Sequence, residues 1–146
     1  MNALATQNAY KPKVKYFEWP DALNHVYQTM SETTTICAYV NIDIVSGLEK
    51  SYIMKTTEIM NNKEIEAREI IANSDHGKTH KRKHNSKHHQ IRLSDNEMLF
   101  SADNIILDDR VLHVSFGAAI IVIEIINPVR VNSQKMIFDM AWDGVK

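Results

Sequence analysis

From Lys13 to Glu18 charged residues alternate with apolar or aromatic ones, the period-two pattern of a strand with one buried face. Trp19-Pro20 ends it. Proline suits the first turn of a helix, and Ala22, Leu23, Val26, Tyr27 and Met30 then recur at helical spacing, so a first helix is expected before a stop at residues 31–34. Residues 34–44, TTICAYVNIDI, are dense in β-branched and aromatic side chains and predict a buried strand. Ser46, with Glu49 three residues on, reads as the capping box of a second helix whose inner face carries Leu48, Tyr52, Ile59 and Met60 and which ends at Asn61-Asn62. A third strand is expected over residues 65–72. The order β-α-β-α-β makes a three-stranded, mostly parallel sheet with covering helices the natural expectation.

Residues 73–89 hold no large apolar side chain, which predicts a surface segment, and its part from His76 to His89 is expected to be mobile without a ligand and dispensable for the fold. Short strands follow at 90–93, 104–107 and 111–116, the last two joined through Asp108-Asp109-Arg110 as a hairpin with exposed turn carboxylates. Residues 118–126 are apolar on both faces except at Glu124, the signature of a central strand, and Pro128 closes it. A last helix over 133–146 would be capped by Ser133 and turn Met136, Ile137, Met140, Ala141 and Val145 inward. Residues 1–9 are small, polar and aperiodic, a flexible lead-in. The pattern thus predicts one α/β domain over 10–146, ordered β-α-β-α-β, variable segment, β-β-β-β-α, with a His/Lys-rich surface segment at 73–89.

A chain of 146 residues, 44% hydrophobic, suits one packed core. Seventeen Lys and Arg against eighteen Asp and Glu give a net charge of −1, so the whole-chain balance asks for neither nucleic acid nor an anionic membrane. That average hides a basic patch: residues 76–89 carry five Lys or Arg, five His and no acid, on a body otherwise acidic. One cysteine, Cys37, excludes an internal disulfide and multi-cysteine metal sites and fits a reducing cytoplasm. The longest apolar run stops at Glu124, far short of the ~20 residues of a membrane helix, and the start of the chain lacks a secretory signal, so a cytoplasmic location is expected.

His76, His80, His84 and His88 are spaced by four, so a helix through them would put all four on one face, where paired imidazoles can bind zinc, nickel or copper. Composition drifting toward His and Lys on a solvated surface gives the same spacing, and Gly77 weakens such a helix. Five cations without an acid can also hold an anion. His25, His113, Trp19, Phe138 and Trp142 read as structural.

Several phrases, in order, resemble the regulatory domain of TrmB-like transcriptional regulators, which has a phospholipase D-like fold. They are Tyr10-Lys11-Pro12-Lys13-Val14-Lys15-Tyr16-Phe17-Glu18 with Val26-Tyr27-Gln28-Thr29-Met30 after it, Ile36-Cys37-Ala38-Tyr39, Arg68-Glu69-Ile70-Ile71, Ile91-Arg92-Leu93 before a segment running from Ala102 to Val111, and Ile137-Phe138-Asp139-Met140-Ala141-Trp142. The resemblance spans residues 10–146. It implies a phospholipase D-like mixed sheet flanked by helices, a role in transcription control, a small-molecule effector and a homodimer in which the motif strands face each other. Two departures stand out. The family's DNA reader would lie before residue 10, where there is no room for it, so a DNA-binding partner protein is expected; and the family's glycine near Trp19-Pro20 is missing.

Active members of the fold use HxKxxxxD, a histidine that attacks phosphorus and a lysine that neutralises phosphoryl charge. Counting back from Asp108 puts Asp103 in place of the lysine and Ser101 in place of the histidine. An acid there repels a phosphodiester. His76-Gly77-Lys78 also spells HxK, but Lys83 fills its aspartate position, and no GxSxG, HExxH or Gly-rich phosphate loop occurs. The expectation is a non-enzymatic sensor or dimerisation domain, with Ser101, Asp103 and Asp108 as degenerate motif positions that could line a ligand pocket. No cofactor is expected on that reading. The alternative is a metal- or anion-binding module, zinc or nickel foremost, using residues 76–89.

Overall fold

The computed structural model describes residues 11–43, 47–95 and 102–145. The lead-in, Ser46 and Ser101 lie outside the described residues. In chain order the elements are β1 (Lys13–Glu18), α1 (Asp21–Ser31), β2 (Thr35–Tyr39), α2 (Gly47–Met60), β3 (Glu66–Ala72), α3 (Asp75–His84), β4 (His89–Ser94), β5 (Asp103–Ile106), β6 (Arg110–Phe116), β7 (Ile120–Ile126) and α4 (Pro128–Asp143). All seven strands form one sheet, ordered β1-β7-β6-β5-β2-β3-β4. β2, β3 and β4 run parallel, whereas the other neighbours pair antiparallel.

The mixed α/β sheet flanked by helices matches the expected class and element order, with three corrections. β1 does not join β2 and β3: it pairs with β7 at the far edge, Lys13 opposite Ile126 and Glu18 opposite Ile121. β7 is therefore second from an edge rather than central, and Ile123 on its outer face is exposed. The last helix starts at Pro128, not after Ser133, because Asn127 caps it, its side chain accepting from the Arg130 N–H at 2.9 Å, while Pro128 needs no donor in the first turn. That earlier start rotates the stripe. Val131, Phe138 and Trp142 face the sheet, and Met136, Ile137 and Met140 are exposed.

The third correction concerns residues 73–89. They are neither structureless nor devoid of buried groups: α3 packs beside β4, and Gly77, His80 and His89 are buried. Ser74 caps the helix by accepting from the Gly77 N–H at 3.0 Å. Lys81, Arg82, Lys83 and His84 fill its last turn, where cations suit the negative end of the dipole, so the basic run favours this helix. Gly77 is required by contact, since a Cβ there would stand 2.1 Å from the Ala72 carbonyl oxygen.

Period-two alternation divides the sheet into two faces. One core gathers Ile36, Ala38, Ala67, Ile71, Ile91, Leu112, Val114 and Val122 under α1 and α2. On the opposite face α4 closes a smaller core of Cys37, Ile70, Ile106, Val111, Val131, Phe138 and Trp142, edged by Arg68 and Arg92 over the Trp142 ring. Among the described residues no helix is long and apolar enough to cross a membrane.

Candidate functional site

Of the three positions expected from the motif count, Asp103 lies on β5 and Asp108 in the turn after it. Asp103 opens the strand and is buried, its Oδ1 accepting from the Asn41 N–H at 3.0 Å and the Tyr52 hydroxyl also bonding to the carboxyl. Its Oδ2 is buried without a hydrogen-bond partner among the described residues. Burial pushes the acid up to about 7, beyond what the bonds from Asn41 and Tyr52 recover, with the charges of Glu69 and Glu49 adding to the rise.

Asp108 lies beyond the other end of the same strand. It lines a depression with Thr29, Glu32, Thr33, Leu107, Asp109 and Arg110, a group that does not include Asp103. Its carboxylate accepts four bonds from the backbone and hydroxyl groups of Thr34 and Thr35, at 2.6 to 3.1 Å. Desolvation works against the ionised form, but those bonds outweigh it and hold the acid well below the usual range. The exposed turn carboxylate thus clamps the hairpin to the start of β2. Asp108→Ala is expected to destabilise the fold by about 2 kcal/mol, read as a lowered urea midpoint. A midpoint shift too small to resolve would show the clamp to be idle.

The four histidines spaced by four do not act as one face. His76 bonds Asp43 at 3.2 Å, His84 meets the Asn61 amide at 3.4 Å, and His88, beyond the helix end, bonds Glu66 at 2.8 Å. Only His80 turns fully inward. There it meets two residues that sequence reading did not select, Glu69 of β3 and His89 of β4. The Glu69 Oε1 stands 2.9 Å from His80 Nε2 and 3.2 Å from His89 Nε2, and all three side chains are buried. Burial pushes the Glu69 acid up, yet the bonds and charges of the two histidines overcome it and hold the carboxyl well below its ordinary range. The signal was present in the strand phase: Glu69 alternates in step with the core residues Ala67 and Ile71, and His89 with Ile91.

On the solvent side of His80 lies a cavity of about 430 Å³, whose lining includes Ile42, Ile53, Met54 and His84. Asp43 fixes its rim, accepting from the Ser74 hydroxyl at 2.8 Å as well as from His76.

No family model and no curated protein matches the sequence. Solved structures do match. TrmBL2, an archaeal chromatin protein with a novel mode of DNA binding, superposes with a TM-score of 0.59 at 12% identity, over 92% of this chain and 53% of its own, so this chain spans about half that protein's length. Nuc from Salmonella typhimurium, a phospholipase D family member, gives a TM-score of 0.61 at 12% identity, covering 93% of this chain and 97% of its own. NucT from Helicobacter pylori gives 0.59 at 13%, covering 92% and 98%. The chain has the phospholipase D-like fold.

Proposed function

We propose that this chain is a non-catalytic phospholipase D-like domain that works by binding, as a sensor or dimerisation module in transcription control alongside a DNA-binding partner protein. The observation that carries the reading is Asp103. Asp103 is buried, and by the count back from Asp108 it stands where the catalytic motif has its phosphate-binding cation, so its negative form repels the very group a hydrolase must hold. The likeness to a chromatin protein supports a DNA-related setting, and a small-molecule effector fits the sensor role. With purified chain and a chromogenic phosphodiester, no turnover is expected. Turnover that follows the protein through purification and vanishes in Asp103→Asn would overturn the reading.

The domain acts as a homodimer. Val14 and Tyr16 of β1 and Ile123 of β7 are exposed, and the register sets Tyr16 opposite Ile123 and Val14 opposite Ile125, so these side chains form an apolar patch on one face. Such a patch suits a second copy, which would bury the same residues across a two-fold axis. Light scattering at micromolar concentration is expected to give twice 16.8 kDa, and Val14→Lys with Ile123→Lys to halve that mass. A monomer before substitution would count against the dimer.

A further inference from the structure

We propose that Glu69, His80 and His89 form a binding site for one divalent transition-metal ion of the zinc class, which fastens α3 to β3 and β4. The site is independent of the reading above, and its failure would leave that reading untouched.

Each residue offers one candidate ligand atom, and the three atoms all lie within 4.8 Å of one another. Ligands bound to zinc at ~2.0–2.1 Å stand about 3.0–3.4 Å apart, depending on the coordination angle. The Glu69 Oε1 lies 2.9 and 3.2 Å from the two Nε2 atoms, so two of the three ligand separations already match those of a zinc site.

The surroundings orient the ligands as well. Asn61 directs its amide nitrogen at His84 and its carbonyl oxygen at His89, accepting from His89 Nδ1 at 2.8 Å. A ring that donates from Nδ1 keeps the Nε2 lone pair for a metal, and this outer bond is the usual device that sets the tautomer and angle of a ligating histidine. Without a cation, the two rings hydrogen-bond to one carboxylate oxygen, and a metal ion would take the place of the protons in those bonds. A divalent ion meets all three ligands at once and releases the ring protons it replaces.

Two imidazoles and one carboxylate form a borderline-soft set that favours zinc, cobalt, nickel or copper over magnesium and calcium. The Lys-rich outer face of α3 repels loosely held cations, leaving inner-sphere binding as the route to occupancy. The cavity that His80 lines supplies an entrance. Cys37 belongs to the opposite core and takes no part.

The test uses the full chain, stripped with a chelator and titrated with zinc in a calorimeter and with cobalt in a spectrophotometer. Expected are one equivalent bound with micromolar or tighter affinity, visible cobalt bands without a thiolate transition, and a melting temperature that rises with zinc. Glu69→Gln, which keeps the shape and removes the charge, should weaken binding at least about 100-fold, and Asn61→Ala about 10-fold. Should Glu69→Gln fail to fold, His80→Gln serves in its place, because that residue lies at the solvent edge of the cluster. The paired change His76→Ala and His88→Ala should leave affinity as it was. No binding by the folded chain overturns the proposal, as does an affinity that depends on His76 and His88 but survives the changes in the cluster.

Discussion

Replacing Arg110 by alanine is expected to cost about 3–5 kcal/mol of folding stability, the range found when one member of a buried ion pair is removed. Its partner, Glu124, lies on the core face of β7 beside Val122 and opposite Leu112, with no accessible surface. The Arg110 guanidinium donates to Glu124 Oε1 at 2.7 Å and grips Asp109 with two further bonds at 2.9 and 3.0 Å. His25, stacked on Phe17, meets the same oxygen at 2.8 Å, while Oε2 has no hydrogen-bond partner among the described residues. Burial pushes Glu124 up, and the bonds from Arg110 and His25 more than reverse it. Without Arg110 the carboxylate keeps one ring as partner.

Urea unfolding followed by circular dichroism at neutral pH should register the loss, and Glu124→Gln added to Arg110→Ala should recover part of it by removing the stranded charge. The sign with pH is fixed as well. A carboxyl whose folded value is depressed contributes stability above its unfolded value of ~4.3 and loses it as the pH falls through the folded value, so the wild-type chain should weaken on acidification. In Arg110→Ala that contribution is gone, and the acid limb should flatten. A loss below about 1 kcal/mol would mean that water reaches Glu124 and that the pair is a surface one.

The strands and helices that follow simple periods were legible in the sequence. β1, α1, β3, β6 and β7 stand within a residue or two of where alternation or helical spacing put them. Sheet order was less so: β-α-β-α-β describes β2-β3-β4, but KVKYFE has one uncovered face and is free to take the far edge, which the local pattern cannot distinguish. α4 was misjudged because Pro128 reads equally as a strand terminator and as a first-turn residue, and only the Asn127 cap decides. Of the motif positions counted from Asp108, Asp103 opens β5 and Asp108 lies two residues beyond its end.

The histidine-rich segment failed for a different reason. Judged by large apolar residues it has no core, yet β3 offers it a buried carboxylate, and a polar core contact leaves no trace in a hydrophobicity pattern. His80 was in view as one of four. His89 breaks the spacing by four, and Glu69 sits in an otherwise ordinary strand, so neither stands out in the sequence. A titratable residue on the inward phase of a strand is the signal that identifies both, as it does Glu124.

Asp103→Asn is expected to raise stability, by up to about 4 kcal/mol at pH 8, the free energy that corresponds to a rise of roughly three units. The folded protein holds this carboxyl's proton up to about 7, while the unfolded chain releases it near 4. Across that window the native state binds the extra proton, so its stability falls as the pH rises and levels off above about 7. Asparagine keeps an oxygen for the Asn41 N–H and carries no charge to bury. The difference between variant and wild type should therefore grow from near zero at pH 4 to its full value at pH 8. Other groups cancel in that difference, and parallel profiles would show that Asp103 is solvated. A residue whose isosteric replacement stabilises the fold is not retained for packing. On the reading proposed here the carboxyl stands in the cation's place, and in its ionised form it excludes the phosphodiester that a cation would have held.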